Sequence, residues 1–254
     1  MREPSLRARE NEQLTGHIEA IHRDVKERYG SPRMHRELLA RGHSVGRHRV
    51  ARLMRAARIR ARQRRSFVRT TDSNHSLPVA PNVLGRAFEA PRCDHAWVGD
   101  ITYIPTREGW LYLAVVIDLH SRFVVGWATS SRIDAELVLS ALKMAVDRRR
   151  PRPGLLMHTD RGAQYASDAY QRFLARNAMT CSMSRRGNCW DNAVAESFFG
   201  MLKAELTNDV DYRSRFEASS DISQYIELFY NRQRRHSALG YLAPAVYEMM
   251  GEVA

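Results

Sequence analysis

Three carboxylates stand in three dissimilar settings. Asp100 lies in Trp97-Val98-Gly99-Asp100-Ile101-Thr102-Tyr103, and Asp160 in His158-Thr159-Asp160-Arg161-Gly162. Glu196 lies in Asp191-Asn192-Ala193-Val194-Ala195-Glu196-Ser197-Phe198-Phe199. Residues 161–195, 35 in all, separate the second acid from the third. Hard divalent cations such as Mg²⁺ take oxygen ligands and keep several waters, so two or three carboxylates can hold them. Two such ions activate the attacking oxygen and stabilise the leaving one in an in-line displacement at phosphorus. A single strand-end aspartate is more often a cap or turn residue. Three acids together, one of them inside an apolar strand where a lone charge is costly, point to a phosphodiester site.

Competing chemistries have less support. The chain contains no Gly-x-x-x-x-Gly-Lys-Ser/Thr loop and no Gly-x-Ser-x-Gly elbow. Cys93, Cys181 and Cys189 are far apart and form no Cys-x-x-Cys pair, so neither a disulfide framework nor a zinc ribbon is expected. Cys93 with Asp94 and His95 makes only a weak ligand set. Tyr230-Asn231-Arg232-Gln233-Arg234-Arg235-His236 superficially suggests a recombinase with a covalent hydroxyl nucleophile, a reading the acids outweigh.

The elements that must position these acids follow from periodicity. Trp97–Ile104, the nearly all-apolar Trp110–Leu119 and Arg122–Thr129 read as three strands. A helix over Asp134–Arg149 is stopped by Pro151-Arg152-Pro153-Gly154. A short strand Leu155–Thr159 ends at Asp160, then come a helix (167–176), a strand (179–183), a helix from Asn192 to Leu206 and a last helix over 216–230. The order βββαβαβα is that of a ribonuclease-H-like α/β domain, a mixed sheet with helices on both faces. On the helix carrying Glu196, the acid's own face bears Gly200 and Lys203, at i+4 and i+7. The glycine leaves room for substrate and the lysine could hold a phosphate.

The formal net charge is +12. Residues 38–71 hold 11 arginines and no Asp or Glu, a block that favours a polyanion through phosphate neutralisation and counterion release. A solvated tail is the plainer reading of such a block. Helical spacing at Leu14, Ile18, Ile21 and Val25, at Met34 and Leu38, and at Val50, Leu53 and Met54 predicts three short helices. They fit a helix-turn-helix-like module whose last helix offers Arg47, Arg49, Arg52 and Arg55 to a DNA groove, or else a structural three-helix cap. The expected organisation is a basic helical domain over 1–60, an extended basic linker over 61–94, a catalytic core over 95–215, and a C-terminal helix with a basic tail over 216–254. Arg232, Arg234, Arg235 and His236 suit a strand-binding role in that tail, or a solvated loop. No run of about 18 apolar residues predicts a membrane span, and Met1–Leu6 is not of signal-peptide type, so a cytoplasmic protein is expected.

At these residues the chain resembles the catalytic (orfB-type) transposases of insertion-sequence family three, within the superfamily of retroviral-type integrases. The resemblance rests on Tyr29-Gly30-Ser31-Pro32-Arg33-Met34, Gly42-His43-Ser44-Val45 and Val50-Ala51-Arg52-Leu53-Met54 in the helical part. It continues through the segments around Asp100, His158–Tyr165, Gly187-Asn188-Cys189-Trp190-Asp191-Asn192-Ala193, Tyr230-Asn231, and Arg235–Tyr241 with Pro244. It implies that Asp100, Asp160 and Glu196 are a catalytic metal-binding triad, with Lys203 as an associated basic residue. It further implies Mg²⁺ or Mn²⁺ as cofactor, two ions, cleavage at element ends with water as nucleophile, and strand transfer by a 3′-hydroxyl. The implied partners are double-stranded DNA, further copies of the chain on that DNA, and an upstream-frame (orfA-type) protein or fusion. Unlike retroviral integrases, this chain has no cysteine before Cys93, which favours a zinc-independent N-terminal module. A non-catalytic DNA-binding regulator on the same fold is the alternative, and it has no need of the acids.

Overall fold

The computed structural model describes residues 3, 5–62, 78–185 and 189–251. The chain divides into two compact units, Met1–Arg65 and Ser66–Ala254. The middle of the expected linker, residues 63–77 with Arg64, Arg65 and Arg69, and the Gly187-Asn188 pair lie outside the described residues.

The first unit is three helices: α1 (Leu6–Asp24), α2 (Ser31–Ala40) and α3 (Arg47–Ala56). Ser5 caps α1 by accepting from the Ala8 N–H, and a proline opens α2, where the missing donor costs nothing. Ile18, Ile21, Met34, Leu38 and Val50 are buried together with Tyr29, which is the apolar stripe the spacing predicts. Helix α1 begins eight residues ahead of the expected Leu14, because Leu6 to Gln13 is mostly polar and mostly exposed and carries no periodic signal.

The second unit is built on a five-stranded sheet: β1 (Ala96–Thr106), β2 (Gly109–Asp118), β3 (Val124–Ser130), β4 (Leu156–Thr159) and β5 (Thr180–Met183), in the order β3-β2-β1-β4-β5. β1–β2 and β2–β3 are antiparallel, whereas β1–β4 and β4–β5 are parallel. Helices α4 (Ala135–Arg149), α5 (Ala163–Ala166) and α6 (Asp168–Arg176) share a core with Trp97, Ala114, Val116 and Met157. Side chains alternate along a strand, so Val98, Asp100, Val115 and Ile117 look to the opposite face. There α7 (Ala193–Leu202) and α8 (Arg215–Gln224) pack on β1 and β2. Beyond each of these two helices the ladder widens to a π turn, Lys203–Thr207 after α7 and Tyr225–Tyr230 after α8, where the spacing predicts unbroken α-helix. A last helix, α9 (Pro244–Gly251), has no counterpart among the expected elements, its Met-Met-Gly end giving a weak pattern.

Helix α4 lies directly on β3 at Gly126, where an added Cβ would overlap the Ala141 carbonyl oxygen and stand 2.7 Å from the Ala145 nitrogen. Both are backbone atoms and cannot swing aside. Gly126→Ala is therefore expected to lower stability by about 3 kcal/mol, the upper end of ordinary overpacking costs. A shifted urea midpoint reads this, and an unchanged midpoint would mean that α4 moves off the sheet at no cost.

Residues 78–94 of the expected linker are strapped along the second unit. The Val83 and Leu84 N–H groups donate to the Ser182 hydroxyl, Met183 N donates to the Pro81 carbonyl, and a guanidinium N–H of Arg122 reaches the Phe88 carbonyl. None of these partners is close in sequence, so only composition was available to predict the segment.

Candidate active site

Asp100 and Asp160 share one end of the sheet. β1 and β4 run parallel with Val98 opposite His158, and each acid lies two residues further on, so the same offset brings Asp100, inside β1, level with Asp160, just past the carboxyl end of β4, on neighbouring strands about 4.8 Å apart. That end is where open α/β sheets keep their sites. Asp100 accepts a 2.8 Å bond from the Ile101 N–H, and Asp160 a 2.9 Å bond from the Gly162 N–H. A Cβ on Gly162 would stand 3.1 Å from the Asp160 carboxyl, so the absence of a side chain keeps that approach open. Glu196 sits in the first turn of α7 and is exposed.

Electrostatics bring the four expected groups together. Burial first, then the Asp160 charge and the Glu196 charge, push the Asp100 carboxyl well above its ordinary range, against the Ile101 N–H and the Lys203 ammonium. Burial lowers the Lys203 ammonium while Asp100 raises it, and its Nζ lies 4.7 Å from the centre of the Tyr103 ring. Tyr165 is buried beside both aspartates, which after burial are the main causes of its raised pKa. Like charges gathered without a balancing cation disfavour ionisation, and a hard divalent ion is what such an oxygen set fits.

Among the described residues, the trio of His, Cys, Asp or Glu whose ligand atoms all fall within 4.8 Å is a different one: Cys93, Asp118 and Glu248. Glu196 lies on the exposed side of its helix. The Cys93 cluster is already satisfied. Asp118 accepts from the N–H groups of Asp94, His120 and Ser121 and from the Ser121 hydroxyl. Glu248 takes two bonds from Arg149, at 2.6 and 2.9 Å. Burial, then Asp118 and Glu248, push the Cys93 thiol up to about 12, so it stays protonated. The Arg149–Glu248 pair fastens α9 to the end of α4.

The basic residues divide sharply. Arg47, Arg52 and Arg55 are exposed on α3, but Arg49 is held by Asn11 at 2.9 Å and by Glu10 at 3.0 Å. In the tail, Arg232 is exposed and Arg235 donates to the Tyr241 carbonyl. Arg234 and His236 correct the expected strand contact, because both are drawn into the interior. Arg234 is 1% exposed with its guanidinium on Glu205, and His236 is 6% exposed with its ring against Tyr230.

Sequence reasoning missed a second node, centred on Asp191. This carboxylate is fully buried and accepts from Arg86 Nε at 2.8 Å, Asn82 Nδ2 at 2.9 Å, and Arg185 through two guanidinium bonds and its backbone N–H. The Arg185 guanidinium foremost, with its N–H and Arg86, holds the Asp191 carboxyl far below the usual carboxylate range, against the opposing effect of burial. A depressed carboxylate stabilises the fold above its ordinary pKa and ceases to do so only as pH falls through the depressed one. Asp191 stood inside a motif, yet Asn82 and Arg86 lie over 100 residues away and nothing local pointed to them.

Three family models match the chain. One described as "Integrase core domain" covers residues 90–189, a second so described covers 177–244, and an "HTH-like domain" covers 9–67. The transposase for insertion sequence element IS904 of Lactococcus lactis is 41% identical over 97% of this chain and 98% of its own length. Transposase InsF for insertion sequence IS3A of Escherichia coli is 46% identical over 88% of this chain and 77% of its own. The chain belongs to the IS3 family of transposases. As a transposase of this family it falls in the polynucleotidyl-transferase class, and its 46% identity to the uncharacterized 31 kDa protein of insertion element IS600 of Shigella sonnei, over 96% of this chain and 90% of that one, joins that protein to the same group. The transposase also shares its ribonuclease-H-like fold with solved integrases. One is a chain of a simian T-cell lymphotropic virus intasome (TM-score 0.53, 15% identity, 91% of this chain and 74% of that one). Another is the HTLV-2 integrase catalytic core in complex with magnesium (TM-score 0.50, 16% identity, 63% of this chain and 99% of that one). Among the described residues no helix is long and apolar enough to cross a membrane.

Proposed function

We propose that this transposase cuts the ends of its insertion sequence and joins them to new DNA at a site formed by Asp100, Asp160 and Glu196. The observation that carries this is the placement of Asp100 inside β1 level with Asp160 at the end of the neighbouring β4, with Glu196 in the first turn of α7, which packs on β1. Asp100, Asp160 and Glu196 would hold Mg²⁺ or Mn²⁺, two ions, which when bound neutralise phosphate charge and activate an oxygen nucleophile. Lys203, close enough to Asp100 to be felt by it, pairs with a non-bridging oxygen of the scissile phosphate. Water attacks phosphorus first, breaking the bond to the 3′-oxygen and leaving a 3′-hydroxyl. That hydroxyl then attacks the phosphorus of a second phosphodiester directly, breaking its bond to the 3′-oxygen, which leaves as a new 3′-hydroxyl, and no protein–DNA bond forms. Labelled terminal-repeat DNA incubated with the purified chain and Mg²⁺ tests the proposal. Nicks at the element ends and joined products support it. Binding without nicking overturns it in favour of a regulator on the same fold.

The exposed Arg47, Arg52 and Arg55 of α3 serve as phosphate contacts, with Arg232 in the tail; double-stranded DNA is the partner and several copies act on it. Changing the three α3 arginines to Gln is expected to weaken binding of all sequences alike. The slope of log K against log salt should become shallower by about 0.9 for each phosphate that is no longer neutralised. An unchanged slope would remove α3 from the interface. A cytoplasmic site of action at the nucleoid, and an upstream-frame partner or fusion, belong to the same proposal.

A further inference from the structure

Two motifs that the triad leaves unused meet in space, His158-Thr159-Asp160 and Trp190-Asp191-Asn192. His158 is fully buried. Its roles follow from its partners: Nε2–H donates to the Asp191 carbonyl at 3.0 Å, and Nδ1 accepts from the Ser182 hydroxyl at 2.8 Å. The same hydroxyl oxygen receives the Val83 and Leu84 N–H groups. Asn192 Nδ2 donates to the Gly99 carbonyl at 3.3 Å, one residue before Asp100. His158 stands two residues before Asp160, and Glu196 follows Asn192 by one helical turn. The turn that opens α7 is therefore bonded to both aspartate strands, immediately upstream of each acid.

We infer that Asp191 and Asn192 form a latch that sets the position of Glu196 against Asp100 and Asp160, clamped from outside by Asn82, Arg86 and Arg185. They are positioning residues and touch no reacting atom. The physical reason lies in α7 itself. Asn192 makes no side-chain cap to the helix, and Glu196 has mostly alanine and valine before it, so the first turn has little of its own to fix its direction. The Asp191 carboxylate supplies the fixing: it draws the 82–86 strap, the segment after β5 and the α7 turn onto one point with five bonds. Two clamp residues, Arg86 and Arg185, remain about half-exposed (43% and 55%) while the carboxylate is 0% exposed, so the latch can be weakened from its surface side without opening the core.

This inference rests on the proposed role of Glu196, and its test reads the helix directly. Asp191→Asn and the milder Arg86→Gln are made in the full chain. Amide hydrogen exchange is followed over Ala193–Gly200, with β2 and α4 as internal references, and Mn²⁺ alone is titrated by calorimetry. Exchange in Ala193–Gly200 is expected to quicken at least about tenfold in Asp191→Asn and less in Arg86→Gln, with β2 and α4 unchanged and Mn²⁺ affinity reduced several-fold. DNA cleavage should fall while DNA binding holds. Should Asp191→Asn fail to fold, Arg86→Gln carries the test, because its side chain is half-exposed. Exchange unaltered in Ala193–Gly200, or quickened evenly across the sheet, overturns the latch. If the wild-type chain cleaves nothing, the proposed function fails, yet the exchange result still decides the latch.

Discussion

Asp100→Asn, Asp160→Asn and Glu196→Gln are each expected to lower the rate of end cleavage by about 10³-fold or more, the scale seen when one member of a cooperating catalytic set is removed. Each change keeps shape and removes charge. At Asp100 it also removes the crowding of like charges that burial sharpens, so the Asn variant should melt no lower than the parent. Binding of terminal-repeat DNA should stay within about twofold, since binding of this kind is dominated by basic contacts to phosphates. Single-turnover cleavage of labelled ends, alongside a binding isotherm for the same DNA, separates the two effects. Near-parental cleavage in any one variant would strip that acid of its role. Loss of binding in step with cleavage would move the acids from chemistry to folding.

The legible part of this protein was the part written locally. Apolar runs located β2 and β4, because a strand buried on both faces leaves nearly uninterrupted apolar residues, as β2 does. Asp100 was conspicuous as a charge inside such a run, and the strand end at Asp160 followed from Leu156–Thr159. What could not be read was anything settled by partners distant in the chain. Arg234 sits in a basic string and looks like a DNA contact, yet Glu205, 29 residues earlier, draws it into the interior. Arg49 stands on α3 among the residues expected at a groove, but Glu10 and Asn11 reach it first. The strap at residues 78–94 carries no periodicity, and its order comes from hydroxyl and carbonyl groups on other segments. Periodicity reports which face of an element is apolar. It does not report which charge on that face will find a counter-ion.

The buried pair Arg234–Glu205 gives the second large expectation. Arg234 Nε and a terminal guanidinium nitrogen meet the two Glu205 oxygens at 2.8 and 2.5 Å, and the Tyr225 hydroxyl adds a bond to Glu205 at 2.8 Å. Burial alone would lower the Arg234 pKa, but the hydrogen bonds and charge of Glu205 outweigh it and raise it. A raised base contributes its stability everywhere below its ordinary pKa, so neutral pH is well inside the plateau. Glu205 lies in the π turn after α7 and Tyr225 opens the one after α8, so the pair clips the two widened turns to the chain at Arg234. Arg234→Ala leaves a buried carboxylate without its cation, which costs about 3–5 kcal/mol and should lower Tm by roughly 6–20 °C for a unit of this size. Replacing the whole group, with Glu205→Leu, Arg234→Met and Tyr225→Phe together, should recover most of that loss, because apolar side chains of similar volume often substitute for a buried pair at little cost. A strand-binding Arg234 makes the opposite forecast: the alanine variant keeps its Tm and loses DNA affinity. Melting curves and a DNA isotherm on the single and triple variants decide between them, and a Tm unmoved by Arg234→Ala would return this residue to the DNA interface.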